Sequence, residues 1–398
     1  MSATPEPVVS GPLAPGPLAP GAVIGVLGGG QLGRMLGFAA RAMGFRLIVL
    51  DPDPECPAAS VADQVIVGGY ADTGAALELA ELSDVVTYEL EHVDPALVDT
   101  GAARVPVRPG QRALAVTQDR LAERRFVAEL GIATAPWREV ADDASLAAGA
   151  RELGFPLRLK APFGGYDGRS QLRLATPEDL AGALDRLGRP AGTPLLLERE
   201  LAFEAELSIV VARGLDGSVA PFPVVRNVHD GGILATTEAP APVSESVAEA
   251  ATAIGRQVAE ALDAVGVITA ELFLLGDGSL AVNELAPRVH NSGHWTIEGA
   301  RTSQFEQHVR AICGLPLSDP AAHGPTAMAN LLGAGELRDA RLAGLAGALA
   351  DPGAHVHLYG KRRVFERRKM GHVTVSGAGA LDDVLARAMA ARDRLHWE

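Results

Sequence analysis

Short apolar runs alternate with amphipathic stretches along the first part of the chain. Four runs have the length and composition of buried strands: VIGVL (23–27), FRLIVLD (45–51), QVIVGG (64–69) and DVVTYELEHV (84–93). Residues 32–43, between the first two runs, repeat their apolar positions with helical periodicity. Strands and helices that alternate at this spacing indicate right-handed crossovers and a parallel sheet. The pattern therefore predicts an α/β domain over residues 22–118.

The pattern becomes mixed after residue 118. Thr117 is expected to cap a helix over DRLAERRFVAELG (119–131), which Gly131 would end. The run PLLLERELAFEAELSIVVARG (194–214) is too long for one strand and is predicted to break near residues 199–202. Other clear segments are strands at FPLRLKAP (155–162), HVHLYG (355–360) and HVTVSG (372–377), and helices at PEDLAGALDRLG (177–188) and residues 381–395. We expect an α+β domain over 119–315 and a small mixed β domain over 316–398.

One hairpin in this pattern brings two acidic residues together. VITAELFLLGDGSLAVNELAP (267–287) is two strands around a Gly-Asp-Gly turn. If residues 276–279 form the turn, Leu275 opposes Leu280 and Glu271 lies directly across from Glu284. Opposed like charges destabilise a sheet by up to about 1 kcal/mol, whereas a divalent cation would reverse that effect. Both side chains could instead extend into water, but their apolar flanks favour a site for Mg²⁺ (or Mn²⁺).

Composition and charge narrow the class of protein. The chain has 398 residues, 47% of them hydrophobic and 21% charged, which is typical of a soluble protein with two or three domains. It contains no apolar run of about 18 residues that would span a membrane. The net charge of −14 disfavours nucleic acid as a partner. The Pro- and Gly-rich residues 1–21 are expected to form a disordered tail, not a signal peptide.

The two cysteines, Cys56 and Cys313, are too far apart in the sequence to suggest a disulfide or metal framework. This usage fits a reducing cytoplasm. Each is expected to be a small buried side chain, although Cys56, in a loop, could be exposed.

Two glycine-rich segments are candidates for binding phosphate. Gly28, Gly30 and Gly33 form a G-x-G-x-x-G pattern, and Asp51 follows at a distance suited to a ribose hydroxyl. The pattern is equally compatible with a nicotinamide-dependent oxidoreductase and with glycines that serve only the turn and helix–sheet packing, so the rest of the chain must decide. In the second segment, Lys160 precedes a glycine-rich loop over residues 164–168 that could fold its N–H groups around phosphate. A surface turn with a solvated lysine is the alternative.

Two polar clusters follow the hairpin. The loop APRVHNSGHW (286–295) carries an arginine, two histidines, an asparagine and a serine beside the predicted metal site. The histidines at 290 and 294 lack a third zinc ligand at familiar spacing, so a loop that binds a polar substrate fits better. The basic cluster 361–369 stands alone in an acidic chain and is interrupted by Val364 and Phe365. It is better matched to one phosphate monoester than to nucleic acid.

Five motifs together resemble one family: GGGQLGRM, TYELEHV, QDRLAERRF, GGYDGRSQ and NELAPRVHNSGHWT. From Val23 to about His372 the chain is similar to the N5-carboxyaminoimidazole ribonucleotide synthetases, ATP-grasp ligases of purine biosynthesis. The resemblance implies an ATP-grasp fold with a Rossmann-like N-terminal pre-ATP-grasp domain. It implies that ATP phosphorylates bicarbonate to carboxyphosphate, which delivers either CO₂ or a carboxylate group to the amino group of 5-aminoimidazole ribonucleotide, with ADP and phosphate as the other products. It also implies a homodimer. The alternatives are a formate-dependent relative acting on glycinamide ribonucleotide and the oxidoreductase above.

The resemblance also implies roles for individual residues. It assigns ATP to Arg120, Lys160, Gly165, Tyr166, Asp167, Gly168, Arg169, Ser170, Gln171, Glu198, Arg199, Glu200, Leu201, Glu206, His229, Asn283 and Glu284. It assigns the ribonucleotide and the reaction centre to Gln31, Leu32, Glu89, Tyr166, Asp167, Arg288, His290, Asn291, Ser292, Lys361, Arg368 and Lys369. Glu271 and Glu284 would hold the metal ion. Catalytic roles fall to Arg288, His290 and Lys160.

Four places depart from the family pattern. Ser170 and Glu366-Arg367 stand where glycine and Pro-Gly are usual. Residues 161–163 replace a frequently basic stretch. Ala286 occupies a position where many ATP-grasp enzymes have a metal-binding asparagine.

Overall fold

The computed structural model describes residues 16–164, 170–188 and 194–398. Residues 165–169, at the centre of the predicted phosphate loop, and residues 1–15 of the predicted tail lie outside this range. None of the helices in the described segments combines the length and apolar composition needed to cross a bilayer.

The N-terminal region is the predicted parallel α/β layer. Its elements are β1 (Val23–Leu27), α1 (Gln31–Ala42), β2 (Arg46–Asp51), β3 (Gln64–Val67), α2 (Thr73–Glu81), β4 (Val85–Tyr88), α3 (Pro95–Ala102) and α4 (Gln111–Gln118), with a 3₁₀ turn at Pro57–Ser60. The four strands are parallel, in the order β3-β2-β1-β4. Strand order and right-handed crossovers place the turns after β1 and β4 at the same edge. The predicted fold of this region is confirmed.

The segment just before β1 is part of the folded body. The Leu18 N–H donates to Cys313 O at 2.9 Å, and Leu18 packs against the core that contains α1. These residues were expected in a disordered tail, and the contact with residue 313 explains why they are not. Cys56 is 4% exposed, and both cysteines are free and buried, so their predicted burial is confirmed and the alternative of an exposed Cys56 is excluded.

A small antiparallel sheet follows. Its elements are α5 (Arg120–Glu129), β5 (Trp137–Val140), α6 (Asp143–Leu153), β6 (Leu157–Lys160), β7 (Gln171–Leu174), α7 (Ala183–Arg186) and β8 (Leu195–Arg199), with a 3₁₀ turn at Pro177–Leu180. The strands are ordered β5-β8-β6-β7. Apolar residues of α6 and of the strands form one core.

Two local predictions in this region are wrong. Asp119, not Thr117, caps α5 by accepting the Leu121 N–H at 2.9 Å. Thr117 lies inside α4, where its hydroxyl donates to Ala113 O. Residues 177–188 form a 3₁₀ turn and a one-turn helix instead of one helix, because Gly182 adopts a left-handed conformation between them.

The second, larger sheet carries most of the remaining chain. Its elements are β9 (Ala205–Arg213), β10 (Val219–Pro221), β11 (Val225–Asp230), β12 (Ile233–Ala239), α8 (Glu245–Ala261), β13 (Gly266–Leu274), β14 (Leu280–Ala286), α9 (Thr296–Gly299) and α10 (Gln304–Ile312), with a 3₁₀ turn at Asn291–Gly293. The predicted break between β8 and β9 is confirmed. Helix α8 covers one face of this sheet through an apolar core.

The C-terminal strands extend this sheet instead of forming a separate one. The elements are β15 (Thr326–Leu332), β16 (Arg338–Asp339), β17 (Leu342–Ala343), α11 (Leu345–Ala348), β18 (Ala354–Leu358), β19 (Arg363–Val364), β20 (Lys369–Ser376), α12 (Leu381–Arg392) and β21 (His396–Trp397). The main order is β14-β13-β9-β11-β12-β15-β20-β18. Because β12 pairs with β15, one sheet runs from the predicted metal hairpin to the basic C-terminal cluster.

Candidate active site

The glycine turn between β1 and α1 is closed by a carboxylate of the protein itself. Glu89, just after β4, accepts a hydrogen bond from the Gly33 N–H at 2.6 Å and another from the Gly30 N–H. This is the positive end of the α1 dipole, where dinucleotide-binding proteins place the pyrophosphate. A Cβ at Gly30 would lie 2.5 Å from Glu89 Oε1. The anion position is therefore filled from within the protein, which excludes the pyrophosphate of a nicotinamide dinucleotide from this turn.

The other candidate binding residues of the N-terminal region, Asp51, Leu32 and Gln31, are also partly or fully buried within the protein. Asp51 Oδ2 accepts hydrogen bonds from the Gly29 N–H at 2.8 Å and from the Tyr70 hydroxyl at 2.7 Å. Leu32 is 8% exposed and packs in the core, so only its backbone is available to a ligand. Gln31 is half-buried at the first position of α1.

The predicted phosphate lysine belongs to a buried network. Lys160, at the end of β6, places Nζ 2.6 Å from Glu198 Oε2 on the neighbouring strand β8. The other oxygen of Glu198 accepts a hydrogen bond from Arg124 Nε at 2.5 Å. Burial alone would raise the pKa of Glu198, but Arg124 and Lys160 outweigh it and lower the pKa to about 2. The network holds Lys160 as an oriented cation.

Arg120 holds the segment that follows Lys160. Its backbone N–H donates to Pro162 O at 3.0 Å, and its Nη1 donates to Ala161 O at 2.7 Å. The start of α5 therefore fixes the first residues of the predicted phosphate loop. The loop candidates Gly165, Tyr166, Asp167, Gly168 and Arg169 lie outside the described residues. Gln171 begins β7 and pairs with Lys160 across the small sheet.

The segment predicted to contact adenine has part of its backbone already bonded. The N–H groups of Arg199 and Glu200 donate to Pro136 O and Pro156 O, each at 2.9 Å. The Glu200 carboxylate pairs with Arg158 on β6 and Arg173 on β7. Leu201 is half-buried just beyond the strand end. Adenine contacts from residues 198–201 would therefore use the remaining backbone groups.

The acidic hairpin has the predicted pairing at its functional end. Glu271 on β13 is directly opposite Glu284 on β14. The register near the turn is different from the prediction, because Leu280 pairs with Leu274 instead of Leu275. A bulge at Asn283 absorbs the one-residue difference and restores the Glu271–Glu284 pair. Glu271 is 16% exposed, whereas Glu284 is exposed at the cleft.

This carboxylate pair is not compensated by the protein alone. Burial, and next the charge of Glu284, raise the pKa of Glu271. Among the described residues, no group of three or more His, Cys, Asp or Glu side chains is arranged to hold a metal ion. A magnesium ion between Glu271 and Glu284 would therefore need phosphate and water oxygens to complete its coordination, which is how Mg²⁺ is usually held. Two opposed carboxylates fit such an ion.

A histidine and a third carboxylate lie near the same sheet face. His229 Nδ1 on β11 contacts Glu206 Oε2 on β9. Burial would lower the pKa of His229, but its hydrogen bond to Glu206 and the charge of Glu271 raise it. His229 is therefore biased towards its charged form next to the acidic cluster.

The loop after β14 joins the sheet to the N-terminal region. Arg288 Nη2 is 2.8 Å from Glu91 Oε1, in the segment that follows β4. The sequence motifs contained Glu91 but gave no reason to pair it with Arg288. The pair fixes the guanidinium beside Glu284 in a cleft of about 680 Å³ that Lys160 also lines.

His290 is held on three sides. Gln304 Oε1 accepts the His290 N–H at 2.9 Å, and Gln304 Nε2 donates to His290 O at 2.7 Å. The ring Nδ1 accepts the Ser292 N–H at 3.3 Å and lies 2.8 Å from the Ser292 hydroxyl. This assigns the ring hydrogen to Nε2, which is 3.3 Å from Glu271 Oε1. Burial and the charges of Arg288 and Lys369 hold the pKa of His290 well below its usual range, so the ring is neutral.

Asn291 lies beside it with both amide atoms buried and no hydrogen-bond partner among the described residues. An amide left in this state is suited to a ligand.

The basic C-terminal cluster is folded back on itself. Lys361 Nζ donates to Lys369 O at 2.8 Å, and Arg368 Nη1 donates to Arg363 O at 2.6 Å. The Arg368 guanidinium also covers the Phe365 ring at 5.2 Å. The charge of Lys369, at the end of this cluster, lowers the pKa values of His290 and Glu271.

Comparison with known families gives matches along most of the chain. Residues 22–118 match the ribonucleotide synthetase preATP-grasp domain. Residues 125–305 match the ATP-grasp domain. Residues 326–385 match the phosphoribosylaminoimidazole carboxylase C-terminal domain. The expected ATP-grasp architecture is confirmed.

Individual relatives agree with these matches. The N5-carboxyaminoimidazole ribonucleotide synthase of Brucella melitensis is 45% identical over 353 residues, which cover 89% of this chain and 96% of the relative. The crystal structure of the synthetase from Thermus thermophilus is similar, with a TM-score of 0.84 and 44% identity over 92% of this chain and 97% of that one. The synthase from Aspergillus clavatus, in complex with ADP and 5-aminoimidazole ribonucleotide, has a TM-score of 0.85 and 34% identity, covering 94% of this chain and 99% of that one.

Proposed function

Because this chain belongs to the family of N5-carboxyaminoimidazole ribonucleotide synthases, an ATP-dependent ligase family of purine biosynthesis, we propose that its cleft carboxylates 5-aminoimidazole ribonucleotide with bicarbonate. Family membership favours this activity over the formyl-transferring and nicotinamide-dependent alternatives. The closed glycine turn independently disfavours the nicotinamide enzyme. ATP and the ribonucleotide are the co-substrates.

One observation supports the cleft as the reaction site more than any other. Glu284, whose partner Glu271 is directly opposite, lines the same cleft as Lys160, Arg120 and Arg288. We propose that Glu271 and Glu284 hold Mg²⁺ (or Mn²⁺), which when bound would neutralise the nucleotide phosphates. Lys160 and Arg120 would stabilise the charge that develops on the transferred phosphoryl group. Glu206, His229 and Asn283, which are also predicted to bind ATP, lie on or beside this hairpin.

The proposed chemistry has two steps. A bicarbonate oxygen attacks the γ-phosphorus of ATP, the bond to ADP breaks, and carboxyphosphate forms. The exocyclic amine of the ribonucleotide then bonds to the carboxyl carbon as phosphate leaves, and the amine loses a proton. Arg288, which pairs with Glu91, would bind the bicarbonate and carboxyphosphate anions.

His290 is suited to orientation more than to proton transfer. A neutral ring with a low pKa is a weak base near neutral pH. We propose that its Nε2–H orients Glu271, while Asn291 and Ser292 contact the substrate. Gln31, Leu32 and Glu89 would lie at the ribonucleotide end of the cleft, and Lys361, Arg368 and Lys369 would take the 5′-phosphate.

The resemblance to the family supports two further proposals, a homodimer and a cytoplasmic location. The strongly acidic charge of −14 supports the absence of nucleic-acid partners. Sedimentation of the purified protein would test the dimer directly.

Release of ADP tests the reaction. The purified protein with ATP and Mg²⁺ should release ADP with aminoimidazole ribonucleotide plus bicarbonate, and should release far less with glycinamide ribonucleotide plus formate. The opposite preference would refute the proposal. Omitting bicarbonate from the first mixture separates the carboxyl source from the amine acceptor.

A further inference from the structure

Strand β14 is at the edge of the large sheet, so its outer backbone groups have no neighbouring strand in the usual sense. Val282 N–H donates to Ala133 O at 2.8 Å. After Val282, side chains of α5 form the hydrogen bonds to the outer backbone groups of β14. Arg124 Nη2 donates to Asn283 O at 2.6 Å, and Glu123 Oε2 accepts the Leu285 N–H at 2.7 Å. The two bonded backbone groups flank Glu284.

The same guanidinium reaches three partners at once. Arg124 Nη1 donates to Glu123 Oε1 at 2.7 Å, and its Nε donates to Glu198 Oε1 at 2.5 Å. Through Glu198 it is linked to Lys160. Arg124 and Glu123 are 2% and 3% exposed, which makes these charge-assisted hydrogen bonds short and directional.

The bulge at Asn283 determines which residue of β14 lies opposite Glu271. Without the bulge, the pairing that starts at Leu274–Leu280 would place residue 283 opposite Glu271 and turn Glu284 to the other face of the sheet. Arg124 and Glu123 bond the backbone immediately before and after Glu284, at the point where the register changes.

We propose that Glu123 and Arg124 act as positioning residues that fix the Asn283 bulge, and thereby hold Glu284 opposite Glu271 and in a fixed relation to Lys160. This inference rests on the proposed magnesium site and adds the residues that set its geometry. Neither side chain is assigned contact with substrate. Residues that orient metal ligands typically change metal affinity by about 10- to 100-fold when replaced.

Arg124→Lys and Glu123→Gln test the proposal. Lysine keeps the charge but cannot reach Glu123, Glu198 and Asn283 O together. Glutamine keeps the shape but has one acceptor oxygen for two donors. We expect each variant to weaken the binding of Mg²⁺–ADP, measured by calorimetry without turnover, about ten-fold or more, and to raise the Mg²⁺ concentration for half-maximal ADP release by a similar factor. The KM for the ribonucleotide should change less than about two-fold, a difference that general loosening of the fold would not produce.

Arg125→Lys is the matched control. Arg125 is the next residue of α5, is half exposed and pairs with Glu139 on the surface, so its replacement should leave the Mg²⁺ dependence unchanged. Circular dichroism and thermal unfolding show whether each variant is folded. If Arg124→Lys does not fold, Glu123→Gln decides alone, because it adds no charge and removes no carbon.

The Glu284→Gln variant distinguishes failure of the metal site from failure of the positioning role of Glu123 and Arg124. If it loses the Mg²⁺ response while folded Arg124→Lys and Glu123→Gln keep wild-type Mg²⁺ dependence, the positioning role is refuted and the metal site stands. If Glu284→Gln itself keeps wild-type Mg²⁺ dependence, the metal site is refuted and the positioning role with it.

Discussion

The sequences of the glycine turn and of the acidic hairpin both indicate nucleotide binding. In the structure, the two places differ in how the charge of their carboxylates is balanced. At the turn, Glu89 supplies the negative charge that the start of α1 favours, and both of its oxygens accept backbone N–H groups. At the hairpin, Glu271 lies directly opposite a second carboxylate, Glu284. Backbone donors balance the charge of Glu89, whereas Glu271 faces a like charge.

This difference separates a carboxylate whose charge is balanced by backbone donors from one that lies opposite a like charge. Burial raises the pKa of Glu89 while the N–H groups of Gly33 and Gly30 oppose the rise. At Glu271 burial and Glu284 both act to raise the pKa. A carboxylate satisfied by backbone donors stabilises the fold, and one that repels its neighbour needs a ligand. Replacing each glutamate by glutamine should therefore have opposite effects on stability.

Glu271→Gln gives the largest expected effect. Turnover should fall by about 100-fold or more, because one metal carboxylate is lost. The free energy of unfolding without nucleotide should stay the same or rise. The raised pKa means that Glu271 costs stability as pH rises through its folded-state pKa, and glutamine removes that cost. ADP release and urea unfolding measure the two quantities.

Glu204→Gln, at an exposed residue next to the start of β9, is the control for this change. A Glu271→Gln protein with near-wild-type turnover would show that the hairpin does not bind the metal ion.

His308 connects β4 of the N-terminal sheet to β13 of the hairpin. Its titration is expected to have the next-largest effect, which is on the pH dependence of stability. Its Nδ1 accepts the Val267 N–H of β13 at 3.0 Å, and Nε2 is 2.8 Å from Thr87 Oγ1 on β4. Burial lowers the pKa of His308 to about 4. The unfolded chain takes up this proton near pH 6.5, so the stabilisation is complete above that pH and is lost as pH falls through 4.

We expect the free energy of unfolding to fall between pH 6.5 and 4, with His308 contributing about 1.4 kcal/mol per pH unit. His308→Asn should reduce the slope of unfolding free energy against pH by the contribution of one proton, about 1.4 kcal/mol per pH unit, because asparagine does not titrate. Urea unfolding at pH 7, 6 and 5 measures the slope, and His355→Asn, at an exposed residue of β18, is the control. An unchanged slope in His308→Asn would contradict the assignment.

Glu89→Gln should destabilise the protein by about 1–3 kcal/mol. Glutamine offers one acceptor to two N–H groups and turns its own amide donors towards the other. Thermal or urea unfolding measures the loss, with Glu78→Gln on the exposed side of α2 as the control. If Glu89→Gln is as stable as wild type, the glycine turn is not closed in the way described, and the contrast with the hairpin fails.

The hairpin shows how far sequence reasoning extends. The local Gly-Asp-Gly turn predicts the Glu271–Glu284 pair. It gave the wrong partner for Leu280, because the bulge at Asn283 is bonded by side chains of α5, more than 150 residues earlier in the chain. The cap of α5 was misplaced for a related reason: Thr117 and Asp119 are both good caps, and only the neighbouring helix α4 decides between them.

Charge partners across the cleft were the least predictable feature. Glu91 and Arg124 were visible in the quoted motifs, but their pairing with Arg288 and Glu198 depends on tertiary contacts. Likewise, alternation identified the C-terminal strands without showing that they join the ATP-grasp sheet. Departures from the family pattern were more informative. Ser170 and Arg367, which stand where glycine is usual, both have positive φ, at 58° and 64°.

The Arg367→Gly variant tests the positive φ at this position and is expected to give the smallest change in the free energy of unfolding. A left-handed conformation costs a non-glycine residue about 1–2 kcal/mol, and glycine removes this cost while adding about 0.4–1 kcal/mol of unfolded-state entropy. The exposed ion pair between Arg367 and Asp230 contributes little. We expect the free energy of unfolding to rise by up to about 1 kcal/mol. Arg367→Ala removes the same ion pair but keeps a Cβ, so it should be less stable than Arg367→Gly. An alanine variant as stable as the glycine variant would show that backbone strain at this loop, unlike the charge left uncompensated at the hairpin, has no measurable cost.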